Sequence, residues 1–123
     1  MKLLIVDDSM IIRRAIERTL VPSLFDEIRT AADGLRAIEE FKDFLPDVVT
    51  LDITMPHMDG IATLEELLQI KPDTKIMIVS ALADDSTAIE ALTMGADQFI
   101  CKPFTNEELV AAVNEMLAFD PIS

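Results

Sequence analysis

The sequence predicts an α/β protein, a doubly wound five-stranded parallel sheet covered on both faces by helices. Three observations point there. Short runs of β-branched and large apolar residues alternate five times with longer stretches whose apolar residues repeat at helical spacing. Apart from Glu27 to Ala32, the short runs are largely apolar rather than apolar at every second residue, as strands buried on both faces should be. The intervening segments are long enough for right-handed crossovers between parallel neighbours.

The first strand is Leu3 to Val6, stopping at Asp7 and Asp8. Ser9 or Asp8 can cap the helix that follows. Residues 10 to 20 put Ile12, Ala15, Ile16, Thr19 and Leu20 on one face and Arg13, Arg14, Glu17 and Arg18 on the other, and Pro22 is expected to end the helix. Glu27 to Ala32 is the weakest strand, because alanine is a poor strand former and the run is only partly apolar, which suits a sheet edge. Asp33-Gly34 turns the chain into a second helix with Leu35, Ile38, Phe41 and Leu45 expected on its inner face, closing near Pro46.

Residues 47 to 52 form the third strand, ending at Asp52. Gly60 opens a third helix with Ile61, Leu64, Leu67 and Leu68 opposite Glu65, Glu66 and Gln69, and Pro72 closes it. Lys75 to Ser80 is the fourth strand. Asp84 and Asp85 lead into a fourth helix, residues 85 to 94, with a narrow inner face of Ala88, Ala91 and Leu92 and with Gly95 as a left-handed cap. This should be the loosest helix. Phe99 to Cys101 is a short last strand ending at Lys102 and Pro103. Thr105 and Glu108 stand at capping-box spacing before a fifth helix that turns Leu109, Ala112, Val113, Met116 and Leu117 inward. There is no internal repeat or linker-like composition shift, so residues 1–119 are expected to be one domain and residues 120–123 a tail.

Composition narrows the function classes. Half of the 123 residues are hydrophobic, enough for an independent core. A formal charge of −13 opposes direct nucleic-acid binding, which needs Lys and Arg to displace condensed counterions. The single cysteine, Cys101, forms no internal disulfide and no thiolate metal cluster. The apolar run after Met1-Lys2 is too short for a signal peptide or a membrane span, so the expected location is the cytoplasm, with no membrane partner.

The polar residues at the strand ends form the notable constellation. A parallel sheet places Asp7 and Asp8, Asp52, Ser80 and Lys102 on one edge, the edge where ligands of open α/β sheets bind. Three converging carboxylates repel one another unless a cation neutralises them. Mg²⁺ suits them, because it prefers oxygen ligands and is usually held by one or two carboxylates plus phosphate oxygens. Lys102 supplies a point charge for a phosphoryl group and Ser80 a hydroxyl donor. Together these describe phosphoryl transfer by positioning and charge neutralisation, with Asp52 as the nucleophile that becomes an aspartyl phosphate.

Val6-Asp7-Asp8-Ser9, Leu51-Asp52 with Met55-Pro56 and Asp59-Gly60, Ser80-Ala81, Gly95-Ala96 and Lys102-Pro103-Phe104 stand in one order and spacing. In these residues the chain, from residue 2 to about 118, resembles the receiver domain of bacterial response regulators, and in particular the chemotaxis-type single-domain regulators. The resemblance implies a flavodoxin-like (βα)5 sandwich with strand order 2-1-3-4-5. It implies that Asp52 accepts a phosphoryl group from the phosphohistidine of a sensor histidine kinase or histidine phosphotransfer domain. Asp8 would bind Mg²⁺ directly, Asp7 mainly through water, and Asp52 and the backbone carbonyl of Thr54 would complete the protein's ligands. Lys102 would pair with Asp52 or the phosphoryl group, and the Lys102-Pro103 bond would be cis. On phosphorylation Ser80 would move toward the new oxygens and the ring of Phe99 would turn inward. The fourth helix, fifth strand and fifth helix would then present a changed surface to a downstream protein. Such a chain is a phosphoacceptor that assists its own phosphorylation and dephosphorylation rather than an enzyme, and a monomer or weak phosphorylation-dependent dimer.

Some positions depart from the chemotaxis-type pattern or permit a plainer role. Phe99 has no hydroxyl, so its preference for inward or outward rests on apolar burial, and without the resemblance it reads as core. Thr54 and Leu82, each two residues past a strand-end polar group, stand where this family influences access of the attacking water; apolar Leu82 is expected to slow self-hydrolysis. Asp7 and Asp8 taken alone can be helix caps. Arg13, Arg14 and Arg18 are either a solvated face or a patch that docks the kinase. His57 reads as a loop residue, Cys101 as a buried strand residue, and the seven methionines as core filler. Two other functions compete: the receiver part of a longer regulator, and a phosphohydrolase working through an aspartyl phosphate, although Thr54 stands where such hydrolases carry a second Asp.

Overall fold

A computed structural model describes residues 1–55, 59–81 and 85–118. Five strands alternate with five helices: β1 Lys2–Val6, α1 Met10–Leu24, β2 Glu27–Ala31, α2 Gly34–Phe44, β3 Val48–Asp52, α3 Gly60–Ile70, β4 Lys75–Ser80, α4 Asp85–Thr93, β5 Gln98–Cys101 and α5 Asn106–Ala118. All neighbouring strands are parallel, in the order β2-β1-β3-β4-β5. The predicted fold class and strand order are therefore observed, and β2 lies at an edge as its composition suggested.

Side chains that alternate along each strand divide the interior into two layers. Leu4, Val6, Val49, Leu51, Ile76 and Ile78 meet Phe41 of α2, Leu64 and Leu67 of α3 and Ala91 of α4 on one face. Leu3, Ile5, Val48, Met77 and Val79 meet Ile16 and Leu20 of α1 and Leu109, Val113 and Met116 of α5 on the other. Because every residue of β3 is buried, the strand is fixed from both sides up to Asp52 itself.

Local polar bonds set where the helices begin and end. Ser9, not Asp8, caps α1, its side chain accepting from the Ile12 N–H. Asp33 and Asp59 cap α2 and α3 in the same way, accepting from the Arg36 and Ala62 N–H groups. Thr105 and Glu108 make the expected reciprocal box at α5, with the Glu108 N–H donating to Thr105 Oγ1 at 3.0 Å. Gly95 sits at φ 117°, and the paired bonds Gly95 N–H to Leu92 O and Ala96 N–H to Ala91 O close a Schellman motif.

Five local expectations need correction. Met1 and Met10 are 44% and 54% exposed rather than core filler. Helix α1 does not stop before Pro22 but runs to Leu24; proline's φ is helical, and only two residues of helix follow the N–H it lacks. Helix α2 is rotated from the expected face: Leu35 is 70% exposed and Leu45 lies past the helix at φ 49°, while Ala37, Phe41 and Phe44 are buried. Both sets fit helical spacing, but the observed one buries two aromatic rings of roughly 150–250 Å² each. The Phe44 ring is further covered by Arg29, 4.7 Å from its centroid, and by Lys2 at 5.4 Å. On α4, Ala91 is buried but Leu92 is 45% exposed, so the inner face is narrower still. Cys101 is exposed rather than buried, because it closes β5 at the open edge of the sheet. The expectations about Pro56, His57, Leu82, Asp84 and the tail 120–123 lie outside the described residues.

Candidate functional site

The carboxyl ends of β1, β3, β4 and β5 carry Asp7–Asp8, Asp52, Ser80 and Lys102 along one edge of the sheet. Asp52 is the last residue of β3 and is 2% exposed. Its Oδ1 accepts two bonds from Thr54, from the backbone N–H at 2.8 Å and from Oγ1 at 2.6 Å. Its Oδ2 accepts from Lys102 Nζ at 3.0 Å. The close start of α3 helps hold this loop, since a Cβ on Gly60 would fall 2.4 Å from Ile53 Cβ.

Asp7 follows the last paired residue of β1 and is 1% exposed. Its N–H still donates to Ala31 O, its Oδ1 accepts from the Ser9 N–H at 2.9 Å, and its carbonyl accepts from Arg13 Nη1 at 2.7 Å. Asp7 Oδ2 lies 2.8 Å from Lys102 Nζ, an ion-pair distance. Asp8 beside it is exposed. Ligand oxygens of Asp7, Asp8 and Asp52 lie within 4.8 Å of one another.

Lys102 arrives from the β5–α5 connection, where its peptide bond to Pro103 is cis and its N–H donates to Ser80 O at 2.7 Å. Its side chain thus spans the end of β4 to meet carboxylates on β3 and β1. Burial on its own would lower the Lys102 pKa, but Asp7 and Asp52 together outweigh burial and hold it above the ordinary value. For Asp7 burial wins: it raises the pKa despite Lys102 and the Ser9 N–H, and the Asp52 charge adds to the rise.

One ammonium therefore contacts two buried carboxylates, with a third, exposed carboxylate beside them. Two buried carboxylates and an exposed one, with oxygens this close together, form the all-oxygen donor set that fits a hard cation such as Mg²⁺. Asp7, Asp8 and Asp52 can supply its carboxylate ligands.

Of the residues singled out in the sequence, Asp7, Asp8, Asp52, Thr54 and Lys102 come together. Ser80 is fully buried in the same row, at the end of the strand between those of Asp52 and Lys102. Phe99 is not in this cluster; it is half-buried against the layer that contains α2, α3 and α4. Two contacts escaped the sequence: the Thr54 hydroxyl on Asp52, and Arg13 on the Asp7 carbonyl. The second was signalled by Arg13 standing one turn inside a helix that begins at Met10, where a long side chain reaches back over the loop.

A doubly wound parallel sheet with carboxylates and a lysine gathered at its carboxyl edge defines a phosphoacceptor class of signalling domain. The chain belongs to the response regulator receiver domain family, whose model matches residues 3–114. It is 41% identical over 116 residues to the chemotaxis protein CheY of Bacillus subtilis, covering 94% of this chain and 97% of the relative. Against the chemotaxis protein CheY of Thermotoga maritima it is 37% identical over 115 residues, covering 94% of this chain and 96% of the relative. Among solved structures, the CheX-CheY-BeF3-Mg²⁺ complex from Borrelia burgdorferi aligns with TM-score 0.89 and 34% identity, covering 94% of this chain and 88% of that one. No helix among the described residues is long and apolar enough to cross a membrane.

Proposed function

We propose that the chain is the phosphoacceptor of a histidine-to-aspartate phosphorelay in the cytoplasm, and that Asp52 receives the phosphoryl group from a sensor histidine kinase or histidine phosphotransfer domain. The observation that supports this best is Lys102 Nζ held between Asp52 Oδ2 at 3.0 Å and Asp7 Oδ2 at 2.8 Å. In the transfer, an Asp52 carboxylate oxygen forms a bond to phosphorus as the P–N bond of phosphohistidine breaks, and the electron pair of that bond stays on the imidazole nitrogen. Lys102, already at the carboxylate, neutralises the arriving oxygens, and the Ser80 hydroxyl donates to them. Asp7, Asp8, Asp52 and the Thr54 carbonyl would hold Mg²⁺, which when bound supplies the remaining charge neutralisation. The same groups assist loss of the phosphoryl group to water.

The output is a change in the surface formed by α4, β5 and α5, reached through Ser80 and Phe99. Support comes from α4, where Ala91 is buried while Ile89 and Leu92 are 63% and 45% exposed, as in a helix that shifts easily and offers apolar contacts. The downstream partner is a protein rather than nucleic acid, given the −13 charge. The relative from Borrelia, whose CheY is bound to CheX, gives one example of such a partner. The chain acts as a monomer or a weak phosphorylation-dependent dimer. The exposed Arg14 and Arg18 are available for docking the kinase.

Incubation with a small phosphodonor tests the reading by intact mass. One phosphoryl group per chain is expected to form when Mg²⁺ is present, and none when a chelator is added before the phosphodonor. Repeated turnover of phosphate esters would instead favour a hydrolase.

A further inference from the structure

Among the three arginines of α1, Arg13 alone is half-buried, and Arg14 and Arg18 are exposed. The guanidinium of Arg13 donates from Nη1 to the Asp7 carbonyl at 2.7 Å. That carbonyl lies one residue beyond Val6, the last paired position of β1, so it has passed out of the sheet ladder. Of the three residues between strand and helix, Asp7 and Asp8 carry two of the three clustered carboxylates and Ser9 is the helix cap. Asp7 is fixed by its N–H on Ala31 O, by its Oδ1 on the Ser9 N–H and by its carbonyl on Arg13. Asp8 is exposed, and its backbone direction is set by the peptide that joins it to Asp7.

Mg²⁺ tolerates little departure from octahedral geometry, so a turn of the Asp7–Asp8 peptide would carry the Asp8 carboxylate out of the coordination sphere. We infer that Arg13 is a positioning residue of the metal site, a clamp on the Asp7–Asp8 peptide that holds the Asp8 carboxylate where a divalent cation needs it. The inference rests on the reading of Asp7, Asp8 and Asp52 as a Mg²⁺ site.

Charge and position predict opposite signs, which makes the role testable. Arg13 is a cation near a site for a cation, so by Coulomb's law alone its removal should tighten Mg²⁺ binding. If it positions the loop, its removal should loosen binding. Arg14→Gln removes the same charge from the same helix without touching Asp7.

Calorimetric titration of the full chain with Mg²⁺, without phosphodonor, reads this directly. Arg13→Gln should bind Mg²⁺ roughly tenfold more weakly than wild type, the scale on which outer groups supporting metal ligands act. Arg14→Gln should bind as tightly as wild type or more tightly, and both variants should keep a wild-type melting temperature within about 3 °C. Binding by Arg13→Gln as tight as that of Arg14→Gln would overturn the inference. Should Arg13→Gln not fold, Arg13→Lys against Arg14→Lys decides the matter at constant charge. A loss of about threefold confined to Arg13→Lys supports the clamp, because a point charge replaces a planar fork, and equal affinities overturn it. If wild type itself takes up no Mg²⁺ and Asp8→Asn changes nothing, the metal reading fails, and the clamp with it.

Discussion

Lys102 sets its ammonium 3.0 Å from Asp52 Oδ2 after reaching across the end of β4, and the same nitrogen is 2.8 Å from Asp7 Oδ2. It is the charge that makes two buried carboxylates tolerable at this edge.

Replacing Lys102 by Met should therefore destabilise the metal-free protein at pH 7 by about 2–4 kcal/mol, measured by urea denaturation. Because the folded-state pKa of Lys102 is raised, its contribution is fully present below its ordinary value of 10.5 and is lost only as pH climbs through the raised one. Wild type should keep this contribution across neutral pH. A Lys102→Met protein as stable as wild type at pH 7 would contradict the assignment.

Asp7 has the opposite sign. Its pKa is raised mainly by burial, so its stability term is present below the ordinary value of 3.8 and is lost as pH rises through the folded-state value. The ionised form is a cost at neutral pH. Asp7→Asn should raise the melting temperature in chelator at pH 7 by about 4 °C, equivalent to about 1 kcal/mol. The gain should vanish near pH 3, where both side chains are neutral. A loss of stability at pH 7 would show instead that the Lys102 contact outweighs burial.

Thr50 is also buried, 1% exposed, with no partner for its hydroxyl among the described residues. It is flanked in register by Ile5 and Met77. Thr50→Val keeps the shape and removes an unsatisfied group, so equilibrium denaturation should show a gain of about 1 kcal/mol. A loss of that size would mean that the hydroxyl has a partner.

Much of this was legible in the chain because parallel strands leave few choices. Once Val6, Leu51, Val79 and Cys101 are read as strand residues, the polar groups after them must share an edge, and Asp52 and Lys102 follow. Capping is equally local: Gly95 and the Thr105–Glu108 pair behave as their spacing implies. What failed depended on competition between surfaces. Leu35 and Phe44 both fit a helical stripe on α2, and only docking on the sheet decides that the aromatic ring goes in. Cys101 looked buried because a strand in isolation does not reveal that it lies at an edge. The Thr54 hydroxyl and Arg13 were missed because their partners, an Asp52 oxygen and a backbone carbonyl, become neighbours only once the loops are built.

The central claim is that Asp52 is the phosphoacceptor, and mapping the acceptor tests it most directly. After treatment with a small phosphodonor and Mg²⁺, borohydride reduces an acyl phosphate to an alcohol, and peptide mass spectrometry locates the reduced residue. Conversion confined to Asp52, abolished in Asp52→Asn, is the predicted result. Conversion at Asp7 or Asp8, or undiminished labelling of Asp52→Asn, would contradict it.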